Sequence, residues 1–122
     1  MYYVGIDIAK KRHVVTILDS QGEKVGKHFS IPNTQEGFAA FFKKLGKLKV
    51  SKKSEIVCGL EATGNLWEPV YQYLLSCGLT VYLINPHQTK HYKKVKGKKV
   101  KTDSLDSLII AGLLRSGEAK NS

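Results

Sequence analysis

A chain of 122 residues, 42% of them hydrophobic, suits one packed domain and is too short for two catalytic ones. No apolar run approaches the roughly 20 residues that span a bilayer, and Met1-Tyr2-Tyr3-Val4 has neither a basic n-region nor a small-residue cleavage site, so a cytoplasmic protein without a membrane partner is expected. The net charge is +10, from 20 Lys and Arg against 10 Asp and Glu, and a phosphate backbone is the usual partner of such a surface.

Residues 2–9 read as a strand rich in β-formers, interrupted by Asp7. Residues 12–18 read as a second. The turn chemistry of Asp19-Ser20-Gln21-Gly22 leads into an antiparallel third strand, about residues 24–31. Asn33 and Glu36 have the spacing of a capping box, as N-cap and N3. Behind them Phe38, Phe41, Phe42 and Leu45 recur at helical spacing, and Gly46-Lys47 suits the helix end. Residues 54–60 are an almost continuous apolar run, the pattern of a strand buried on both faces, and Glu61 ends it. Asn65 and Glu68 repeat the capping spacing, with Pro69 tolerable in a first turn. That helix carries Trp67, Val70, Tyr71, Leu74 and Leu75, and Gly78 stops it. Residues 79–84 read as another buried strand, closed by Asn85-Pro86. A short helix over residues 86–93 precedes a lysine-rich loop. The last helix covers about residues 102–115, with Leu105, Leu108, Ile109 and Leu113 on its apolar stripe.

The order β-β-β-α-β-α-β-(α)-α predicts an α/β domain. Three antiparallel strands followed by parallel ones form a mixed sheet, with helices on both faces. This is the element order of the RNase H-like fold.

Four carboxylates stand out in that frame. In parallel strands the carboxyl ends lie together, so Asp7 and Glu61 are expected side by side. Asp103 and Asp106, three apart on a helix, share a face. Convergence of four acids is strongly repulsive unless divalent cations compensate. Mg²⁺ is hard and oxygen-seeking, and Mn²⁺ can substitute. Two such ions about 3.5–4 Å apart clamp the attacking and leaving oxygens of a phosphodiester. The catalytic and metal-holding candidates are therefore Asp7, Glu61, Asp103 and Asp106.

Lys93, Lys94, Lys96, Lys98, Lys99 and Lys101 are the nucleic-acid-binding candidates. Lys43, Lys44, Lys47, Lys49, Lys52 and Lys53 read instead as a solvated helix end. Cys58 and Cys77 lack metal-ligand spacing and read as reduced thiols. His87 and His91, four apart, are a weak zinc signal. Tyr92 suits base stacking or packing, and Trp67 suits the core or another domain.

The stretches Val4-Gly5-Ile6-Asp7-Ile8-Ala9-Lys10, Leu60-Glu61-Ala62-Thr63-Gly64, Ile84-Asn85-Pro86 and Lys101-Thr102-Asp103-Ser104-Leu105-Asp106 resemble, in order and spacing, the N-terminal domain of the DEDD-type insertion-sequence transposases and Piv-type DNA invertases. The resemblance implies a RuvC-like fold, a metal-dependent DNA recombinase, and an acidic tetrad on Asp7, Glu61, Asp103 and Asp106. It also implies a separate C-terminal domain bearing a nucleophilic serine and, in some members, a guide RNA. Recombination needs several active sites, so a homo-oligomer is expected when full length. Residues 1–116 are then the catalytic domain and 117–122 a tail towards that further domain. Ser107 departs from the family's usual alanine. Ser104, Ser107 and Thr63 are hydroxyls near the expected site, none of them read as the nucleophile, and Thr102 reads as an N-cap.

Three other readings compete. A stand-alone Holliday-junction resolvase or RNase H-like nuclease shares fold, metals and acids. A non-catalytic nucleic-acid-binding module leaves Asp7 and Glu61 unexplained. An actin-like ATPase or sugar kinase also opens on Gly-Ile-Asp, but needs a glycine-bearing phosphate hairpin where this chain has Ile8-Ala9-Lys10-Lys11-Arg12.

Overall fold

The computed structural model describes residues 1–96 and 105–121, the side chains of 93–96, 120 and 121 excepted. Five strands, β1 (Tyr2–Asp7), β2 (Arg12–Leu18), β3 (Phe29–Pro32), β4 (Ile56–Glu61) and β5 (Thr80–Ile84), form one sheet in the order β3-β2-β1-β4-β5. The β3-β2-β1 half is antiparallel, and β1-β4-β5 is parallel. This is the mixed sheet expected from the sequence, with β1 and β4 at its centre. The helices are α1 (Gln35–Leu45), α2 (Glu68–Ser76), α3 (Pro86–Lys96) and α4 (Leu105–Ser116).

Strand alternation divides the core in two. Val4, Ile6, Cys58 and Leu60 pack with Phe38, Phe41 and Leu45 of α1 and with Val70 and Leu74 of α2. Val57 and Ile84 pack on the opposite face with Ile109, Ile110, Leu113 and Leu114 of α4. Each fully buried Leu, Ile or Phe contributes roughly 1.5–3 kcal/mol. Gly5 and Gly59 are the seats on which α4 rests. A Cβ on Gly5 would run into the Ser107 carbonyl oxygen and stand 2.5 Å from the Ala111 nitrogen, and one on Gly59 would stand 2.8 Å from Leu114 Cδ2.

Several local expectations change. The third strand starts at Phe29. Lys24 makes only an isolated bridge with Leu18, because Gly26 takes φ +72°, outside the strand region. The N-cap of α1 is Thr34, whose Oγ1 accepts from the Gly37 nitrogen at 3.0 Å. Asn33 is drawn away from that role: its backbone nitrogen donates to the Lys11 carbonyl at 2.9 Å and its Nδ2 to the Lys10 carbonyl at 3.4 Å. Trp67, with no side-chain cap bond, occupies the N-cap position of α2, and Asn65 offers only its carbonyl oxygen to Glu68. β5 is an edge strand with Thr80 exposed and Val81, Tyr82 and Leu83 half-buried. α3 runs on to Lys96, beyond the expected end. The buried face of α4 is Ser107, Ile109, Ile110, Ala111, Leu113 and Leu114, while Leu105 and Leu108 are half-buried, because the helix turns its small residues onto Gly5. Residues 118–121 form a short 3-10 turn that buries Ala119, so the expected tail opens on a packed element.

Cys58 is buried and Cys77 half-buried, both as free thiols, and burial pushes the Cys58 thiol up to about 12. Among the described residues, no helix is long and apolar enough to cross a membrane.

Candidate metal and nucleic-acid site

Asp7 closes β1 and Glu61 closes β4. The preceding residues, Ile6 and Leu60, are Cα partners across these parallel strands. The two acids are therefore neighbours on strands about 4.8 Å apart. Ile6 and Leu60 belong to the core under α1 and α2, whereas Gly5 and Gly59 meet α4. Alternation thus turns both carboxylates to the α4 face.

α4 runs antiparallel to β1. Ser107 and Ala111 lie over Gly5, and Arg115 Nε donates to the Ser20 carbonyl at 3.2 Å, beyond the amino end of β1. The first turn of α4, with exposed Asp106, consequently lies towards the end of β1 that carries Asp7. Asp103 lies outside the described residues, as do the side chains of Lys93, Lys94, Lys96, Lys98, Lys99 and Lys101. Among the described residues no three His, Cys, Asp or Glu side chains form a group able to hold a metal ion.

Glu61 is held by two threonines. Thr63 Oγ1 donates to Oε1 at 3.1 Å and Thr89 Oγ1 to Oε2 at 2.6 Å. The Thr89 hydroxyl also lies 2.8 Å from the Pro86 carbonyl oxygen, so α3 is anchored beside β4 by the same group. An ionised carboxylate has about four lone-pair sites, so each oxygen keeps one for a cation. Among the described residues, the hydrogen-bond partners that orient Glu61 are these two hydroxyls. Thr63 also makes the turn expected of it, its nitrogen donating to the Glu61 carbonyl at 3.0 Å. Thr89 is a site residue that the sequence does not announce. Its sole signal is a hydroxyl three residues after a helix-starting proline, and the contact depends on how α3 docks.

Ser107 is fully buried, and its Oγ lies 2.6 Å from Thr16 Oγ1 on β2. This pair fastens α4 to the sheet next to the acids. Urea unfolding of Ser107→Ala should show a loss of about 1–3 kcal/mol, the cost of stranding a buried hydroxyl. Adding Thr16→Val should recover a good part of it. Strict additivity of the two losses would contradict the coupling.

His13 is buried on β2 and stacks on Phe38, with ring centroids 6.4 Å apart. Its Nδ1 accepts from the Ala9 nitrogen at 3.1 Å, so the neutral ring carries its proton on Nε2. Burial lowers its pKa below 6.5, and the Asn33 side chain partly opposes this. Nε2 and Asn33 Oδ1 are both buried, and neither has a hydrogen-bond partner among the described residues. A lowered folded-state pKa means that the unfolded chain binds the proton first as pH falls. The contribution is complete above 6.5 and is lost below it, down to the folded value. The urea midpoint should therefore drop between pH 7.5 and 5.5, and His13→Gln should flatten that slope. An unchanged slope would contradict the assignment.

The remaining candidates are quiet. His87 and His91 are exposed. Tyr92 packs on α4, where a Cβ on Gly112 would stand 2.6 Å from its hydroxyl. Trp67 Nε1 donates to the Gly64 carbonyl at 2.7 Å, and its ring meets Tyr71 edge-on. Lys44 lies over the Phe29 ring and Lys53 donates to the Cys77 carbonyl, as a solvated structural stretch would.

A family model for DEDD transposases of the IS110 type, described as "Transposase", matches residues 4–122. The chain belongs to this DEDD transposase family. The transposase for insertion sequence element IS1533 of Leptospira borgpetersenii is 33% identical over 114 residues, which are 93% of this chain and 31% of that protein. The pilin gene-inverting protein of Moraxella bovis is 28% identical over 109 residues, 89% of this chain and 33% of that protein. This DEDD transposase chain thus spans about a third of the length of these curated relatives. Its fold is that of RuvC: the structure of Thermus thermophilus RuvC in complex with a Holliday junction substrate superposes with a TM-score of 0.64 over 98% of both chains at 15% identity.

Proposed function

We propose that this domain is the metal-dependent catalytic domain of a transposase acting on DNA phosphodiesters. The observation that supports it best is the position of Asp7 and Glu61 at the carboxyl ends of adjacent parallel strands, turned to one face. Their donor chemistry suits a hard divalent cation such as Mg²⁺: carboxylate oxygens, with Glu61 oriented by two hydroxyls. Asp7 and Glu61, side by side on adjacent strands, are the proposed core of the ligand set. Asp106, which does not group with them as the domain stands, and Asp103, outside the described residues, are proposed to close on the cation when it binds. Bound there, Mg²⁺ would stabilise the charge that develops on a phosphoryl oxygen during strand cleavage. The protein's own part is positional. Gly5 and Gly59 let α4 sit low, the Thr16–Ser107 contact fixes its position, and Thr63 and Thr89 orient Glu61. The lysines at positions 93–101 are proposed to track the DNA backbone. A C-terminal serine-bearing domain completes the reaction in this scheme, and an element-encoded guide RNA is a further expectation carried by the resemblance. Oligomerisation is expected because recombination needs several active sites.

The test is strand cleavage of donor DNA by the whole transposase in Mg²⁺, in EDTA, and in Mg²⁺ with Asp106→Asn. Cleavage is expected in the first case alone. Cleavage that survives EDTA would contradict the reading. A second reading, a stand-alone junction resolvase, gains support from the RuvC match over 98% of both chains. Cutting of a four-way junction by the 122-residue chain alone would favour it.

A further inference from the structure

The geometry points to a second DNA-phosphate contact in this domain, distinct from the lysine-rich segment: Lys10 and Lys11, on the turn that joins β1 to β2. It rests on the reading of the carboxylate edge as a nucleic-acid site. The turn begins at the residue after Asp7, so it stands on the carboxyl edge of the sheet, beside the acids. Lys10 and Lys11 are both exposed, and neither ammonium has a hydrogen-bond or ion-pair partner among the described residues. Arg12, the third cation, is otherwise engaged. Its Nε donates to Ser30 Oγ at 3.0 Å and its Nη2 to the Ser30 carbonyl at 3.3 Å.

The turn is also held in place, unlike an ordinary basic loop. The Ala9 nitrogen donates to buried His13 Nδ1 at 3.1 Å. Asn33 donates to the carbonyls of both lysines, from its backbone nitrogen to Lys11 at 2.9 Å and from Nδ2 to Lys10 at 3.4 Å. His13 is thereby given a purpose that packing alone does not supply. It and Asn33 brace the backbone from which the two ammonium groups project. A braced backbone loses less entropy when the lysines engage a ligand.

The opposite flank is basic too. α3 carries exposed Lys90 and is tied to Glu61 through Thr89. From β2 to β5 the sheet spans three strand spacings, about 14 Å, with the two acids between. A DNA strand that crosses the carboxyl edge meets Lys10 and Lys11 on one side of the acids and α3 on the other.

The experiment is a fluorescence-anisotropy titration of the 122-residue chain against a labelled DNA duplex, from about 50 to 200 mM salt. Three paired variants are compared: Lys10→Gln with Lys11→Gln, Lys10→Arg with Lys11→Arg, and Lys47→Gln with Lys49→Gln. The last pair makes the same charge change in exposed residues that precede the amino end of β4. The Lys10 and Lys11 glutamine pair is expected to lower the slope of log K against log salt by about 1–2, at roughly 0.9 for each phosphate no longer neutralised. The arginine pair should keep the wild-type slope, and the Lys47 and Lys49 pair should leave it unchanged. An unaltered slope in the first pair, or an equal fall in the Lys47 and Lys49 pair, would overturn the inference and leave the site reading standing. If the wild-type chain shows no salt-dependent DNA binding, the site reading itself falls, and this inference with it.

Discussion

Asp7→Asn should weaken Mn²⁺ binding to this domain by at least about 100-fold in calorimetric titration, and Glu61→Gln should do nearly the same. Loss of a partner that merely orients a metal ligand costs about 10–100-fold, and a direct ligand should cost no less. Both substitutions keep the side-chain shape and remove one negative charge. Neither should unfold the chain, because Asp7 and Glu61 are half-buried at strand ends and lie outside both apolar clusters. DNA affinity measured without metal should stay within a few-fold of wild type, since the lysines and not the acids meet the phosphates in this scheme. In the whole transposase, both variants should abolish cleavage. Undiminished Mn²⁺ binding in the two variants would mean that the aligned carboxylates are a structural coincidence. The discriminating comparison is Asp19→Asn. That carboxylate caps its own turn, accepting from the Gln21 and Glu23 nitrogens at 2.9 and 3.0 Å, and its removal should leave metal binding untouched.

Gly5→Ala should be the most damaging single-methyl change in the domain, at about 2–4 kcal/mol in urea unfolding. The added Cβ would meet main-chain atoms of α4, the Ser107 carbonyl and the Ala111 nitrogen, and backbone cannot move aside as the tip of a side chain can. Overpacking of this kind costs about 1–3 kcal/mol and occasionally more. The gain of up to about 1 kcal/mol from removing a glycine from a strand does not offset it. The melting temperature should fall on the order of 10 °C. Gly26→Ala gives the scale. Its Cβ would meet nothing within 4 Å, and only the positive φ opposes it, so a destabilisation near ~1 kcal/mol is expected. In Gly5→Ala the functional effect should exceed the stability effect, because the proposed site needs α4, which carries Asp106, seated low against β1. A Gly5→Ala protein as stable as wild type would show that α4 does not depend on that close seat.

The legible parts of the fold were those where one strong pattern dominated. Two apolar runs located β1 and β4. The second ends in Glu61 as expected, whereas the first, expected to continue through Asp7 to residue 9, stops at Asp7. The parallel pairing of Ile6 with Leu60 follows from their place in the element order. The phenylalanines of α1 announced its buried face. Patterns with two near-equal solutions are less legible. Asn33 and Thr34 are both good caps, and the choice turned on a tertiary demand, the carbonyls of Lys10 and Lys11, which local spacing does not reveal. The start of β3 depended on Gly26, whose positive φ is permitted but not required by its identity. On α4 the leucines suggested one stripe, yet Ser107, Ala111 and the facing Gly5 set the rotation, because small residues allow close approach. Thr89 was beyond local reasoning, since its partner lies 28 positions away across β5. The family tetrad was legible as a motif, and its geometry as a metal site is the part that the proposal adds.

A crystal of this domain soaked in Mn²⁺, with anomalous scattering collected at the manganese edge, decides whether the carboxylates hold metal. One or two peaks are expected at the carboxyl ends of β1 and β4, each within about 2.0–2.6 Å of oxygens from Asp7 and Glu61, the range for hard divalent cations on oxygen ligands. Peaks found only elsewhere, or none at saturating Mn²⁺, would refute a metal site built on these two acids.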